Sequence, residues 1–322
     1  MRRVERGERL ADVICDTAAE FLKVLTPVTG MFTASCIYRG VSSAHHDLVP
    51  AAHRKGRRLF KTEYELTEAP LPTLRDQCSA EFFTIDKFFS IASRHGVRIP
   101  EDSFVLRTEL DEWRDRFLPR KPKPLNDLTW PSPQLYSVMA LAQHYGVPTR
   151  ALDWTWSPLT AAYFAARPAL GQPMDDSIAV WVFDDFTRQM DRMLDVKAQR
   201  PLVIFSVSGA DNDNLRAQRG LFMLHPQRFA DPDKPFVPKT YDELLLKSVP
   251  VLRGAANIIR VMLSRTEVPT LLAYLAHAGV TAGALYPGLW GAAREYEEEQ
   301  LVRPASFVGA MDDQISKLWS KA

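Results

Sequence analysis

Apolar residues recur at helical spacing from Leu10 to Leu25, through Val13/Ile14, Ala18 and Phe21, and the stripe stops at Thr26-Pro27. This predicts an N-terminal helix within residues 1–29. After a Val28-Thr29-Gly30 turn, Met31 to Tyr38 ends in the short β-compatible run Ala34-Ser35-Cys36-Ile37-Tyr38, which predicts a buried strand with Arg39-Gly40 at its exit. Residues 41–73 are interrupted by Pro50, Pro70 and Pro72 and read as irregular. Helical periodicity returns over Leu74 to His95 and again near Asp102 to Phe117, before a stiff connector from Pro119 to Pro124. Gln134 to Tyr145 reads as a helix stopped by Gly146, and Ser157-Pro158 opens another that runs to about Ala166. Val147 to Trp156 lies between them as a compact loop. Ile178–Phe183, Leu202–Val207, Leu221–Leu224 and Ile258–Leu263 have strand character. A helix from Glu267 to His277 precedes an aromatic, glycine-rich tail from Leu285 to Gly291. Helices crowd the first half and strands the second, so the pattern predicts an α+β fold. Its mixed β-sheet core falls in one domain, residues 30–322, with a helical insertion at about 74–124.

Composition narrows the function classes. With 46% apolar and 25% charged residues, the chain has the make-up of an ordinary globular protein. A net charge of +1 provides no overall basic field of the kind a dedicated nucleic-acid binder carries, although the run Arg54-Lys55-Gly56-Arg57-Arg58 could act locally. Cys15, Cys36 and Cys78 are too few and too scattered for a disulfide framework or a zinc site, which points to the cytoplasm. His45, His46 and His53 lack metal-ligand spacing and read as a solvated loop, so no metal is implied. No window approaches the roughly 20 apolar residues that span a bilayer, so no membrane partner is expected. The glycine-rich dinucleotide fingerprint, the Walker motif, the nucleophile elbow and HExxH are all missing from the sequence.

Three segments resemble one family. Ile37-Tyr38-Arg39-Gly40, with Pro50-Ala51-Ala52-His53-Arg54 ten residues on, is similar to the opening of the FRG domain, named for an aromatic–Arg–Gly triplet. Gln143-His144-Tyr145-Gly146-Val147-Pro148-Thr149-Arg150-Ala151-Leu152-Asp153-Trp154-Thr155, continuing to Ala165, resembles that family's longest signature. Asn214 to Phe222 resembles its Arg, Gln–x–Gly–x–Phe element. Near the C-terminus the family's Pro–Asp–Leu–Asp–Gly pattern is replaced by Pro287-Gly288-Leu289-Trp290-Gly291, without either acid.

The aromatic–Arg–Gly triplet is also similar to the first motif of ADP-ribosyltransferases, whose arginine holds the anionic part of NAD. That likeness implies an ADP-ribosyltransferase-like fold with NAD as substrate. It implies a macromolecular acceptor, protein or nucleic acid, and a toxin-like or phage-defence setting. The catalytic candidates are Arg39, Asp153 and Gln218, the last a neutral amide where the transferases usually have a glutamate; Glu295 to Glu299 offer carboxylates from elsewhere. The candidates for contact with NAD are Tyr38, Arg39, Gly40, His144, Thr149, Trp154 and Thr155. A planar guanidinium at Arg39 suits paired bonds to phosphate, and Trp154 offers a ring to stack. Each residue also has a plain structural use. Arg39 can tie strand ends through Asp153, His144 can cap a helix, Gln218 can anchor the turn into the Leu221 strand, and Trp154 can be core. The alternative function is therefore a non-catalytic module that binds a nucleotide or nucleic acid.

Overall fold

The computed structural model describes residues 2–5, 10–26, 32, 35–118, 123–184, 201–209, 212–248 and 258–302. The Val28-Thr29-Gly30 turn and most of the Pro119 connector lie outside them. Among the described residues the strands are β1 (Arg2–Glu5), β2 (Leu10–Cys15), β3 (Cys36–Val41), β4 (Arg58–Phe60), β5 (Leu66–Glu68), β6 (Thr129–Trp130), β7 (Leu152–Thr155), β8 (Ser177–Asp184), β9 (Val203–Phe205), β10 (Gly220–Leu224), β11 (Gln227–Arg228) and β12 (Ile258–Ser264). Eight of them form one mixed sheet in the order β1-β2-β12-β8-β3-β7-β10-β9. Only β2 and β12 run parallel within it. The α+β class with a mixed sheet is therefore the architecture of this chain.

Burial alternates along the central strands. On β8, Ile178, Val180 and Val182 join one cluster with the helices α1 (Ala18–Leu25), Val268–His277 and α5 (Pro158–Ala166), whereas Trp181 and Phe183 face a second cluster with Ile37, Trp154 and Tyr241. A third cluster forms where α2 (Leu74–Arg94), α3 (Phe104–Phe117) and α4 (Tyr136–His144) pack over Phe222 and Leu224 of β10. The expected helical insertion is thus not an appendage. Its Phe82, Trp113 and Phe117 pack with Trp130, just beyond it, in one aromatic group.

Several expectations need correction. Residues 10–15 are a strand, not the start of a helix, because Ala11, Val13 and Cys15 alternate inward beside β12. The spacing of Leu10, Val13 and Ile14 fits either period over so short a span. The helix begins only at Ala18, after Thr17 caps it by accepting from the Glu20 amide at 3.2 Å. Arg39-Gly40 lies inside β3, not beyond its end. The Val147–Trp156 loop contains β7, a central strand whose four residues are too few to display a clear alternation. The aromatic tail joins two helices, Ala282–Leu285 and Leu289–Val302, through a turn at Tyr286 to Gly288. His53 is buried rather than solvated, and Glu298 of the C-terminal glutamates is buried as well. Its carboxylate accepts from the Tyr163 hydroxyl at 2.5 Å and from Arg167 at 2.6 Å, tying the last helix to α5.

A buried ionic knot joins the helical insertion to the segment that enters β7. Glu81 of α2 accepts from Arg150 Nε at 2.6 Å, Trp130 Nε1 at 2.9 Å, Gln77 Nε2 at 2.9 Å and His53 Nε2 at 3.0 Å. Arg150, fully buried, also donates to the His225 carbonyl at 3.0 Å. Burial works against the Glu81 charge, yet the Arg150 guanidinium and His53 outweigh it and hold the carboxyl well below its usual range. Burial pushes the His53 pKa down against the pull of Glu81. A neutral imidazole fits the geometry, since Nε2 serves Glu81 while the buried Nδ1 has no partner to receive a second proton.

Candidate functional site

β3 and β7 are paired at only one position, Tyr38 with Thr155. Beyond it the two strands diverge and open a cleft of about 290 Å³. Its walls are Tyr38-Arg39-Gly40 from β3, Asp153-Trp154-Thr155 from β7 and Gly220-Leu221-Phe222 from β10. Gln143 and His144 from α4, Phe164 from α5, Leu215, Gln218 and Tyr286 complete it.

Gly40 sets the shape of one wall. A Cβ there would lie 2.0 Å from the Ala161 carbonyl oxygen and 2.6 Å from the Ala165 amide nitrogen. The bare backbone of β3 and the alanine-rich face of α5 can therefore approach more closely than any side chain would permit. Ser157 caps α5 by accepting from the Thr160 amide at 3.2 Å, and Pro158 occupies its first turn.

The polar side of the cleft is a hydrogen-bonded chain. Ala151 N donates to Thr149 Oγ1 at 3.1 Å, Thr149 Oγ1 donates to Gln143 Oε1 at 2.8 Å, and Gln143 Nε2 donates to Asp153 Oδ2 at 3.0 Å. Arg39 Nη1 donates to the Asp153 carbonyl and lies 3.8 Å from Asp153 Oδ2. Thr149 is fully buried and does not line the cleft, so its part is to orient Gln143. The spacing of Gln143, Thr149 and Asp153 in the long signature is the spacing of this chain of bonds.

Arg39 and Asp153 differ in access. The Arg39 side chain is 16% exposed and that of Asp153 is 51% exposed. Burial draws the Arg39 pKa down while Asp153 opposes the shift, and the buried Nε of Arg39 has no partner. A buried guanidinium N–H without an acceptor is costly unless a ligand supplies one. His144 has its pKa lowered by burial, against Asp153, and so favours the neutral imidazole.

Gln218 is 8% exposed and its Nε2 donates to the Leu285 carbonyl at 3.1 Å. The Gln218 backbone carbonyl accepts from Thr155 Oγ1 at 2.7 Å, which locks the end of β7 to the turn before β10. Arg219 then takes a left-handed φ of 49°. The Trp154 ring is 2% exposed and packed among Ile37, Leu152 and Trp181, so it belongs to the core cluster. Tyr38 is likewise 4% exposed and meets Phe32 edge-on at 6.2 Å. The aromatic residue that sequence reasoning missed is Tyr286. It meets Phe164 edge-on at 6.3 Å and Trp290 at 4.8 Å, and it stands just before Pro287. Of the C-terminal glutamates, Glu295 accepts from the Gly283 amide at 2.9 Å and Glu298 serves Tyr163 and Arg167. Neither lines the cleft, and Asp153 is the one carboxylate among the lining residues.

Among the described residues no helix is long and apolar enough to cross a membrane, and no three His, Cys, Asp or Glu side chains gather as metal ligands. No curated protein and no solved structure matches the chain. The FRG domain family matches residues 34–172, a stretch that holds Arg39, the long signature and the chain of bonds to Asp153 but stops short of Gln218. The protein is an FRG domain-containing protein, with that domain over residues 34–172.

Proposed function

We propose that the cleft binds NAD as a substrate and transfers ADP-ribose to a macromolecular acceptor, protein or nucleic acid. The observation that carries this reading is the convergence of Arg39, Asp153 and Gln218, distant in sequence, on one cleft with an unpartnered buried Nε on its arginine. The cleft volume is near the lower end of small-molecule sites, about 300–1,000 Å³. It suits the nicotinamide-ribose half of a dinucleotide, with the rest at the mouth. In this reading Arg39 takes the phosphate end through charge-assisted bonds. Asp153 faces the ribose. When the bond from ribose C1′ to the pyridinium nitrogen breaks, its electron pair leaves with nicotinamide, which departs neutral, and the carboxylate stabilises the positive charge left on the sugar. The acceptor nucleophile then bonds to C1′ and gives up its proton to water. Gln218, its amide committed to Leu285, positions the Tyr286 wall and contributes no charge. A toxin-like or phage-defence effector is the setting this reading brings.

One observation favours a second reading, a non-catalytic nucleotide-binding module: Asp153 is already engaged by Arg39 and Gln143. Nicotinamide release with candidate protein and nucleic-acid acceptors separates the two. Transfer chemistry predicts turnover that Arg39→Ala and Asp153→Asn each lower by about 100-fold or more, with Gln218→Ala less severe. Binding of NAD without turnover would establish the module instead.

A further inference from the structure

We infer that Trp154 and Trp181 are hydrogen-bond donors of an anion site centred on Arg39, their indole N–H groups joining Arg39 Nε around one phosphoryl group. The inference deepens the reading above and rests on it for the identity of the nucleotide that carries the group. Among the described residues, the buried side-chain nitrogens and oxygens without a hydrogen-bond partner are Arg39 Nε, Trp154 Nε1, Trp181 Nε1 and His53 Nδ1. His53 belongs to the ionic knot. The other three share one row of the main sheet. Trp181 of β8 stands opposite Arg39 of β3. On the other side of β3, Tyr38 pairs with Thr155, so Trp154 of β7 falls beside Arg39 in the same antiparallel register. The three side chains also share a face. Ile37 and Val41, two residues to either side of Arg39, pack in the cluster that holds both tryptophans, and alternate residues of a strand point the same way. With neighbouring strands about 4.8 Å apart, the two indoles flank Arg39 within about 10 Å.

These groups cannot satisfy one another, because each is a donor and none is an acceptor. Buried N–H groups are normally paired, and one left without an acceptor is costly. A second arginine of the same row is fully paired. Arg260 of β12 stands on the other side of Trp181. It donates through Nε and Nη2 to Asp12 at 3.0 and 2.9 Å and through Nη1 to the Ala44 carbonyl at 2.6 Å. Arg39 has no such fork: its Nη1 is engaged by the Asp153 carbonyl, the Asp153 carboxylate lies 3.8 Å away, and Nε is left over. The ligand that fits three donors is rich in acceptors and negatively charged. A phosphoryl group supplies several acceptor oxygens, and one guanidinium with two neutral N–H donors matches a single negative charge. Arg39 and Trp154 both line the cleft, which gives the group its way in, and Trp181, 4% exposed, stands on the far side of Arg39. The Trp154 ring keeps its place in the core while its N–H edge binds.

The test follows the indole N–H resonances of the full chain by NMR during titration with inorganic phosphate, pyrophosphate, ADP-ribose and NAD, with adenosine as the uncharged control. Trp154→Phe and Trp181→Phe keep an aromatic ring and remove the N–H, and circular dichroism checks that each variant is folded. The expected result is that both resonances shift with the phosphate-bearing probes and not with adenosine. Each Phe variant is expected to bind pyrophosphate about tenfold or more weakly, the effect of one hydrogen bond to a charged group. Assignment through the backbone identifies both resonances in the wild type, so the shifts decide even where a Phe variant does not fold. Resonances that stay in place with every phosphate-bearing probe, or wild-type affinity in either Phe variant, overturn the inference. NAD binding that leaves both resonances in place would keep the nucleotide reading and remove the indoles from it. Pyrophosphate binding that depends on both indoles, without NAD binding, would keep the anion site and remove the nucleotide. A folded wild type that binds none of the probes overturns both.

Discussion

Glu81→Ala is expected to lower stability by about 3–5 kcal/mol, the usual cost of leaving one partner of a buried ion pair without its counter-charge. Against a total of about 5–15 kcal/mol for a typical domain, that is enough to unfold much of the population. The reason is local. Arg150 is buried with Glu81 as its carboxylate, and Trp130, Gln77 and His53 lose the same acceptor. Disrupting an exposed pair such as Arg107–Asp102 by Asp102→Ala is the comparison, with an expected change within about 1 kcal/mol. Urea unfolding followed by circular dichroism measures both. The same knot sets an acid limit. Both Glu81 and His53 have folded pKa values below their unfolded ones, so on acidification the unfolded state takes up protons before the folded state does. Stability is lost as pH falls, first from about 6.5 through His53 and then below about 4.5 through Glu81. A wild-type midpoint that does not fall between pH 7 and pH 4 would contradict this picture of the knot.

Gly40→Val is expected to be the second severe change, and for a different reason. The added Cβ meets backbone, not a movable side chain, at Ala161 and Ala165. Either α5 must withdraw from β3 or the strand must shift, and overpacking of this kind costs about 1–3 kcal/mol or more. Because α5 carries Phe164 into the cleft wall, the change should also lower ligand affinity in any protein that still folds. Gly56→Ala is a useful contrast: its φ of 75° disfavours a side chain, but nothing lies within 4 Å, so a loss of about 1 kcal/mol is expected. A thermal midpoint for Gly40→Val equal to that of the wild type would show that the β3–α5 contact is looser than described.

The motif residues were legible in the sequence, whereas the reasons for them were only partly so. Tyr38-Arg39-Gly40 and the block from Gln143 to Ala165 identify the domain, yet the sequence reads Gly40 as an exit turn when it is a close-packing position in mid-strand. A glycine signals either backbone freedom or close approach, and only the partner across the contact separates the two. That partner is α5, far along the chain. The same limit hides the buried knot. Arg150 sits inside the recognised signature, but its carboxylate is 69 residues away on α2, and His53 resembles a loop histidine until Glu81 is placed beside it. Thr149 illustrates the converse case: the signature suggests ligand contact, and the fold makes it the support for Gln143. Tyr286 carries no signal in the sequence because it enters the cleft from a segment far along the chain from Arg39 and Asp153 and outside the three recognised segments. The contact of Arg39 with Asp153, expected as the structural use of that arginine at the strand ends, is present in the geometry. Helix periodicity was read accurately for α2 and α3, which are long enough to repeat their pattern, and failed at residues 10–15, which are not.

Titration of the purified wild-type protein and Arg39→Ala with NAD, alongside their thermal melting curves, decides whether the cleft holds NAD through Arg39. Saturable binding to the wild type and a loss of about tenfold or more in Arg39→Ala are expected, without a matching fall in melting temperature. Equal affinity in the two proteins, or no binding by a folded wild type, would contradict it.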